Sequence, residues 1–222
     1  MKLSRNTTVV LKNFATINSN LVVPEGKTIS TISAAKDIMG FFESEDEFDN
    51  ELAIFNLNEF LGVLSAFTEP EIELDTKFAT ITQDKAKVNY LYADKSHLNY
   101  PQKKLTFPDA DITFTLSNDV LSKLQKMAAI LSVEDLAIVS EDNKIILRVY
   151  DKKSPSANSF EIDTDVETED SFNIDFKIDK LKLLPGSYTV DISSKKISRF
   201  THADLDLVYY CAIEATSSYK KS

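Results

Sequence analysis

Two segments of this chain repeat one order of features, and that repeat limits the fold more than any other property of the sequence. Residues 51–64 read ELAIFNLNEFLGVL and residues 172–184 read FNIDFKIDKLKLL. Phe55 matches Phe176, Leu57 matches Ile178, Asn58 matches Asp179 and Phe60 matches Leu181. Each copy reads as a strand, then a capping residue (Asn58, Asp179), then a short helix. The second copy alternates: Phe172, Ile174, Phe176 and Ile178 share one face, with polar residues between them. An Asn or Asp at a helix start accepts a free N–H of the first turn through its side-chain oxygen. Pro185-Gly186 then stops the second helix early.

A longer helix precedes each copy. At 100° per residue, Leu3, Val10, Leu11, Phe14 and Ile17 of LSRNTTVVLKNFATI fall within about 120° of arc, with Arg5, Thr8, Lys12 and Thr16 opposite. Ser117 to Leu131, SNDVLSKLQKMAAIL, places Val120, Leu121, Leu124, Met127, Ala128 and Leu131 on its apolar face and Lys126 on the other, flanked by Asp119, Ser122 and Lys123. Alternating runs fill the rest: 20–23, 27–34, 36–42, 71–75, 77–83 and 86–93, then 111–115, 134–140, 143–150, 158–163, 187–193, 196–201 and 205–214. Turn signals such as Pro24-Glu25-Gly26 and Glu141-Asp142-Asn143 separate several of them. The expected fold class is therefore α+β, with two similar β-rich domains each bearing one long and one short helix. The domains are expected at 1–93 and 110–222. The polar stretch 94–109, with two prolines and no sustained period, joins them as a connector. Two copies of about 110 residues are duplicated domains rather than a short-period solenoid.

Charge is distributed unevenly over this plan. The formal net charge is −10 from 35 acids and 25 Lys and Arg. Residues 43–51, ESEDEFDNE, hold six acids and residues 163–170, DTDVETED, hold five. Without those eleven the formal charge is +1. Both runs precede the repeated strand and read as solvated acidic loops. The opening helix carries only positive charge, and no acid occurs before Glu25. Such acidity argues against indiscriminate nucleic-acid binding and leaves room for a confined basic surface. Arg5 and Lys12 alone are equally the wet side of an amphipathic helix. The duplication adds Lys123 and Lys126 on the second long helix and Lys180 and Lys182 in the second short one. Helices packed on the same face of adjacent sheets pool these six cations on one surface.

Known site signatures are missing. Only four glycines exist, and no Gly-rich phosphate loop is formed. His97 and His202 are isolated from other ligand types, so no metal or cofactor is expected. There is no nucleophile elbow, no ATPase motif and no catalytic residue to name. The single Cys211 sits in the apolar run LVYYCAIEA and reads as a buried thiol, which fits a reducing cytoplasm. No apolar run approaches about 18 residues, so no membrane partner is expected.

The opening MKLSRNTTVVLKNFATINSN, AIFNLNEFLG at 53–62, Pro185-Gly186-Ser187-Tyr188 and YYCAIEA at 209–215 resemble, in order and spacing, the DNA-polymerase sliding clamps of T-even-type bacteriophages. The resemblance implies the DNA-clamp fold: a homotrimeric ring with helices inside and sheets outside. It implies no enzyme activity, sequence-independent binding to duplex DNA, and tethering of a replicative DNA polymerase. Loading would need a separate ATP-driven clamp loader, in the cytoplasm of the infected bacterial host. Arg5, Lys12, Lys123, Lys126, Lys180 and Lys182 are then expected to face DNA.

By that topology the last strand of the first domain, at 87–94, pairs with 158–163 of the next chain. Val88, Tyr90 and Tyr92 then meet Phe160 and Ile162, although these are equally ordinary core strands. Partner peptides of such clamps dock in an apolar groove beside the connector, here Leu98, Tyr100, Pro101, Leu105 and Phe107. The same five equally pack the connector onto its own domains. The alternative is a β-rich structural or interaction protein of a viral particle with no DNA-tethering role, and an enzyme built from dispersed residues is a third reading.

Overall fold

A computed structural model describes residues 1–103, 105–154 and 156–222. The chain divides into two compact units. Unit 1 is Met1–Leu105 with Leu205–Tyr209, and unit 2 is Thr106–Asp204 with Tyr210–Ser222.

Unit 1 runs α1 (Arg5–Ile17), β1 (Leu21–Val23), β2 (Gly26–Ile32), β3 (Ile38–Phe48), β4 (Leu52–Ile54), α2 (Leu57–Ser65), β5 (Glu71–Leu74), β6 (Phe78–Gln83) and β7 (Ala86–Leu91). Unit 2 repeats the order with β8 (Ile112–Leu116), α3 (Asn118–Leu131), β9 (Asp135–Glu141), β10 (Lys144–Tyr150), β11 (Phe160–Glu167) and β12 (Ser171–Lys177). A single 3-10 turn at Ile178–Lys180 follows, then β13 (Tyr188–Ser193), β14 (Ile197–His202), β15 (Leu207–Ala212) and β16 (Ser218–Lys220). In unit 1 the sheet order is β4-β1-β2-β3 on one side and β5-β6-β7 on the other. In unit 2 β11-β10-β9-β12-β16 faces β14-β13-β8. The ladders between these neighbours are antiparallel.

Packing follows the apolar patterns. Val10, Leu11, Phe14 and Ile17 of α1 are buried, as are Leu121, Leu124 and Ala128 of α3. Gly40 in β3 lets α1 lie close: a Cβ there would stand 2.7 Å from the Phe14 ring. Tyr209 completes this contact, with its ring edge-on to Phe14 at 6.3 Å and its hydroxyl donating to Asn13 Oδ1 at 2.6 Å.

Four local expectations change. The acidic run at 43–51 lies largely in β3, not in a loop. Glu43, Glu45 and Glu47 point outward, while Ser44 and Phe48 are buried between them. The alternation is present in the sequence, but six acids in nine residues conceal it. The run at 163–170 likewise begins in β11, where Asp163, Asp165 and Glu167 are exposed and Thr164 and Val166 half-buried.

The caps also shift. Asn56, not Asn58, caps α2 by accepting from Glu59 N–H at 3.2 Å, because the chain turns helical at the fully buried Leu57. In unit 2 the short helix shrinks to the turn Ile178–Lys180, and Asp179 lies inside it as no cap. Buried Leu181, Leu183 and Leu184 draw the chain out of helical geometry there.

Candidate nucleic-acid interface and subunit edges

The acids and the basic helix prove to be joined. Ser4 caps α1 by accepting from Thr7 N–H at 3.1 Å, and its own N–H donates to Asp46 Oδ2 at 2.8 Å. Thr7, fully buried, shares a 2.7 Å hydrogen bond with Ser44 Oγ. Two residues of the first acidic run thus hold the start of α1, where the helix dipole favours negative charge. Fixing the inner face leaves Arg5 and Lys12 exposed on the other.

In α3 the cap is Ser117, and Lys126 is exposed. Lys123 Nζ sits 5.6 Å from the centre of the Phe160 ring in β11, a cation–π contact of about 0.5–1 kcal/mol at an exposed site. Lys180 and Lys182 are exposed but stand on the 3-10 turn and the loop after it, not on a helix. The α2 helix carries no cation, and Glu59 is exposed in its first turn.

Several strand cations are held by acids, and three helix cations are not. Among the described residues, Arg5, Lys12 and Lys126 have no ion-pair partner. On the sheets, Lys144 pairs with Asp163 at 2.6 Å, Arg148 with Glu161 at 2.6 Å and Glu141 at 2.7 Å, and Arg199 with Asp191 at 2.7 Å. A buried network ties Lys177 to Asp135 at 2.7 Å and Lys152 to Asp175. The Asp135 carboxyl lies below the ordinary range. Burial alone would raise it, and the Lys177 ammonium with the Lys152 N–H outweighs that. Among the described residues no group of three His, Cys, Asp or Glu side chains is placed to hold a metal ion, and Cys211 is buried.

The strands named from sequence as subunit edges are sheet edges. β7 ends its sheet and pairs only with β6, and β11 ends its sheet and pairs only with β10. The strands β4, β8, β16 and β5 are sheet ends as well, and of these β5 is flanked by Met1, which exchanges backbone hydrogen bonds with Ile72. Val88 and Tyr90 are half-buried. The Tyr90 ring lies edge-on to Phe60 at 5.1 Å, and burial and then Glu59 push its hydroxyl up to about 12. Tyr92 falls just past β7 and packs on Val22, Ala53 and Leu98. Burial, with Asp75, pushes its hydroxyl up to about 12. Phe160 and Ile162 are half-buried on β11.

The connector residues are also engaged within their own units. Leu98 is buried with Val22 and Ala53, and Tyr100 packs against that cluster. Phe107 lies beneath the Arg199 guanidinium at 4.6 Å and near the Tyr210 ring at 6.1 Å. Pro101 and Leu105 are half-exposed. Four exposed apolar side chains escaped the sequence reading: Phe55 and Ile130 are each 62% exposed, Leu91 74% and Val9 39%. The repeat match set Phe55 against Phe176, which is 2% exposed, so residue identity misled there. Leu91 had a readable signal, since it breaks the polar outward row Lys87, Asn89 of β7.

Solved structures share this architecture. Proliferating Cellular Nuclear Antigen from Entamoeba histolytica superposes with a TM-score of 0.68 at 14% identity, covering 94% of each chain. The structure of A. fulgidus PCNA bound to the C-terminal region of FEN-1 gives 0.72 at 12% identity, covering 98% of this chain and 100% of that one. Two repeated β-rich units, each with a long amphipathic helix, define the DNA-clamp fold.

Within that fold, the family model gp45 sliding clamp, C terminal, matches residues 113–215. The Sliding clamp of Vibrio phage KVP40 is 33% identical, covering 97% of this chain and 100% of that protein. The Sliding clamps of Escherichia phage RB69 and Enterobacteria phage T4 are 30% and 29% identical, each covering 99% of both chains. The chain belongs to the sliding clamps of T4-like phages. These relatives favour the clamp over the structural protein of a particle considered from sequence.

Proposed function

We propose that three copies close head to tail into a ring around duplex DNA and tether the replicative DNA polymerase for processive synthesis. The ring performs no chemistry of its own. A separate ATP-driven clamp loader places it on DNA, in the cytoplasm of the infected bacterial host. No described helix is long and apolar enough to cross a membrane.

One observation carries the reading: among the described residues the exposed cations of α1 and α3, Arg5, Lys12 and Lys126, lack ion-pair partners, whereas Lys144, Arg148 and Arg199 on the sheets are paired. A ring that slides needs attraction to phosphates without base readout. Long, unpaired side chains across water supply this, because their potential reaches about a Debye length, roughly 8 Å at physiological salt. Lys123 joins them while resting on Phe160, and Lys180 and Lys182 add charge from a neighbouring turn. Outward acids on β3 and β11 repel DNA from the opposite surface.

The open sheet ends at β7 and β11 support closure through these two strands. Val88, Tyr90, Phe160 and Ile162 are the apolar residues at the two open edges, with Tyr92 bracing the first from behind. A partner peptide finds Pro101 and Leu105 on the connector, beside Leu98, Tyr100 and Phe107 that hold it to its units.

Replacing Arg5, Lys12, Lys123 and Lys126 together by Glu tests the DNA-facing assignment. Product length in primer extension with polymerase and loader should fall sharply at unchanged trimer content. Full-length products from the reversed protein would defeat the assignment.

A further inference from the structure

We propose that the cleft between α1, α2 and β5 is a docking site for an acidic, apolar segment of a partner protein. The cleft lies wholly within unit 1, so it stands whether or not copies of this chain close into a ring. Leu98, Tyr100, Pro101 and Leu105 of the connector do not line it.

Its volume is about 490 Å³, within the usual range of ligand sites. The floor is aliphatic, since Leu61 of α2 and Ile72 of β5 are buried. Leu3, Leu64, Phe67 and Pro70 form half-buried walls. Hydrogen bonds fix those walls. Met1 N–H donates to Ile72 O at 2.6 Å and accepts from Ile72 N–H through its carbonyl at 2.8 Å. Gln83 Oε1 accepts from the N–H groups of Thr68 and Glu69 at 2.8 and 3.2 Å. A cleft held in this way is formed before anything binds, which spares the occupant the cost of ordering it.

The rim carries an unbalanced charge. Lys2, Lys12 and Glu69 stand on it, all exposed. Lys2 and Glu69 satisfy each other at 3.1 Å. Among the described residues Lys12 has no ion-pair partner. Arg5 lies one turn before Thr8, another lining residue, and adds positive charge alongside. Glu71 and Glu73 alternate with Ile72 and so lie on the opposite face of β5. These features select the occupant. Duplex DNA would satisfy Lys12 and leave the aliphatic floor uncovered. An uncharged apolar body would cover the floor and leave Lys12 unanswered. A fatty acid has both parts, but its chain favours an enclosed cavity, and the exposed Ser65, Thr68 and Lys12 keep this cleft open to water. A peptide segment crossing the mouth lowers apolar side chains to the floor and sets a carboxylate against Lys12. The apolar contacts supply affinity, and the charge discriminates between partners and responds to salt.

The chain has no tryptophan, so a tryptophan in the probe reports binding by its fluorescence. The probe is the peptide acetyl-Glu-Leu-Trp-Asp-Leu-amide, titrated into the full chain at low salt. It should bind saturably with a Kd below about 1 mM. The basic peptide acetyl-Lys-Leu-Trp-Lys-Leu-amide should bind about tenfold more weakly or worse. Lys12→Glu should weaken the acidic peptide about tenfold, a loss that shrinks as salt is added. Leu64→Asp should weaken it about tenfold at any salt. Thr68→Phe narrows the mouth from an exposed position, should weaken it as well, and serves where Leu64→Asp perturbs the unit. No saturable binding of the acidic peptide overturns the site. Equal binding of the two peptides overturns the charge selection. Loss in Lys12→Glu with unchanged binding in Leu64→Asp and Thr68→Phe means attraction to the basic helix face alone, as for a polyanion such as DNA, and overturns the cleft. Loss in Leu105→Asp with none in Leu64→Asp places the peptide at the connector and overturns it too. Displacement of the peptide by decanoate at lower concentration than the peptide itself assigns a fatty anion and overturns the peptide occupant.

Discussion

At the scale of single residues, the same side chain acquires different roles from its neighbours. Lys126 and Lys144 are chemically alike. One has no ion-pair partner among the described residues, and the other is held by Asp163 across a strand pair. Asp46 reads as one more acid in a charged run, yet it receives the N–H of the residue that caps the basic helix. Gly40 shows how little space separates helix from sheet. Phe14 is fully buried and braced by Tyr209, so its ring cannot retreat from an added methyl group. Gly40→Ala should cost about 1–3 kcal/mol in stability, read as a lower denaturant midpoint. A midpoint equal to the parent's would show that α1 does not press on β3 as described.

At the scale of elements, caps and strand faces decide what residue pattern alone leaves open. The bodies of α1 and α3 are legible because clear apolar stripes mark them, while Leu3 and Ser4, read within the first helix, precede it, with Ser4 as its cap. The cap of α2 lies two residues before the apparent one, because burial of Leu57 outweighs the choice between two asparagines. β9, β12 and the loop after β10 are tied by the network around Asp135 and Asp175.

Asp135 titrates lower in the fold than in the unfolded chain. Its charge therefore stabilises the fold above the unfolded carboxyl value, near pH 4, and that contribution disappears as pH falls through the lowered folded value. Asp135→Asn should lower the melting temperature most at neutral pH, with the gap closing below about pH 4. A gap constant from pH 7 down to pH 2.5 would show that the charge is not what Asp135 supplies.

At the scale of the whole molecule, the proposed function depends on an assembly that encloses DNA rather than gripping it. A topological tether should stay on nicked circular DNA after loading and leave once the circle is cut. Retention on the linear form, measured by gel filtration at moderate salt, would mean direct gripping instead. Raising the salt should speed departure from linear DNA and affect retention on circles far less, since only the phosphate attraction is screened.

The duplication, both long helices, most strands and the absence of familiar catalytic signatures could all be read from the sequence, because each is a local pattern of period 2 or 3.6 or a countable residue type. The acid runs could not, since two strands use acids for their wet faces and only pairing with β2 and β10 reveals the pleat. Nor could the fate of the connector: Leu98 and Phe107 meet partners more than sixty residues away in the chain, Val22 and Arg199. The sequence determined which residues are apolar, charged or able to cap. The tertiary structure decided which cations remain unpaired and which strands remain edges, because both depend on neighbours brought together only by folding.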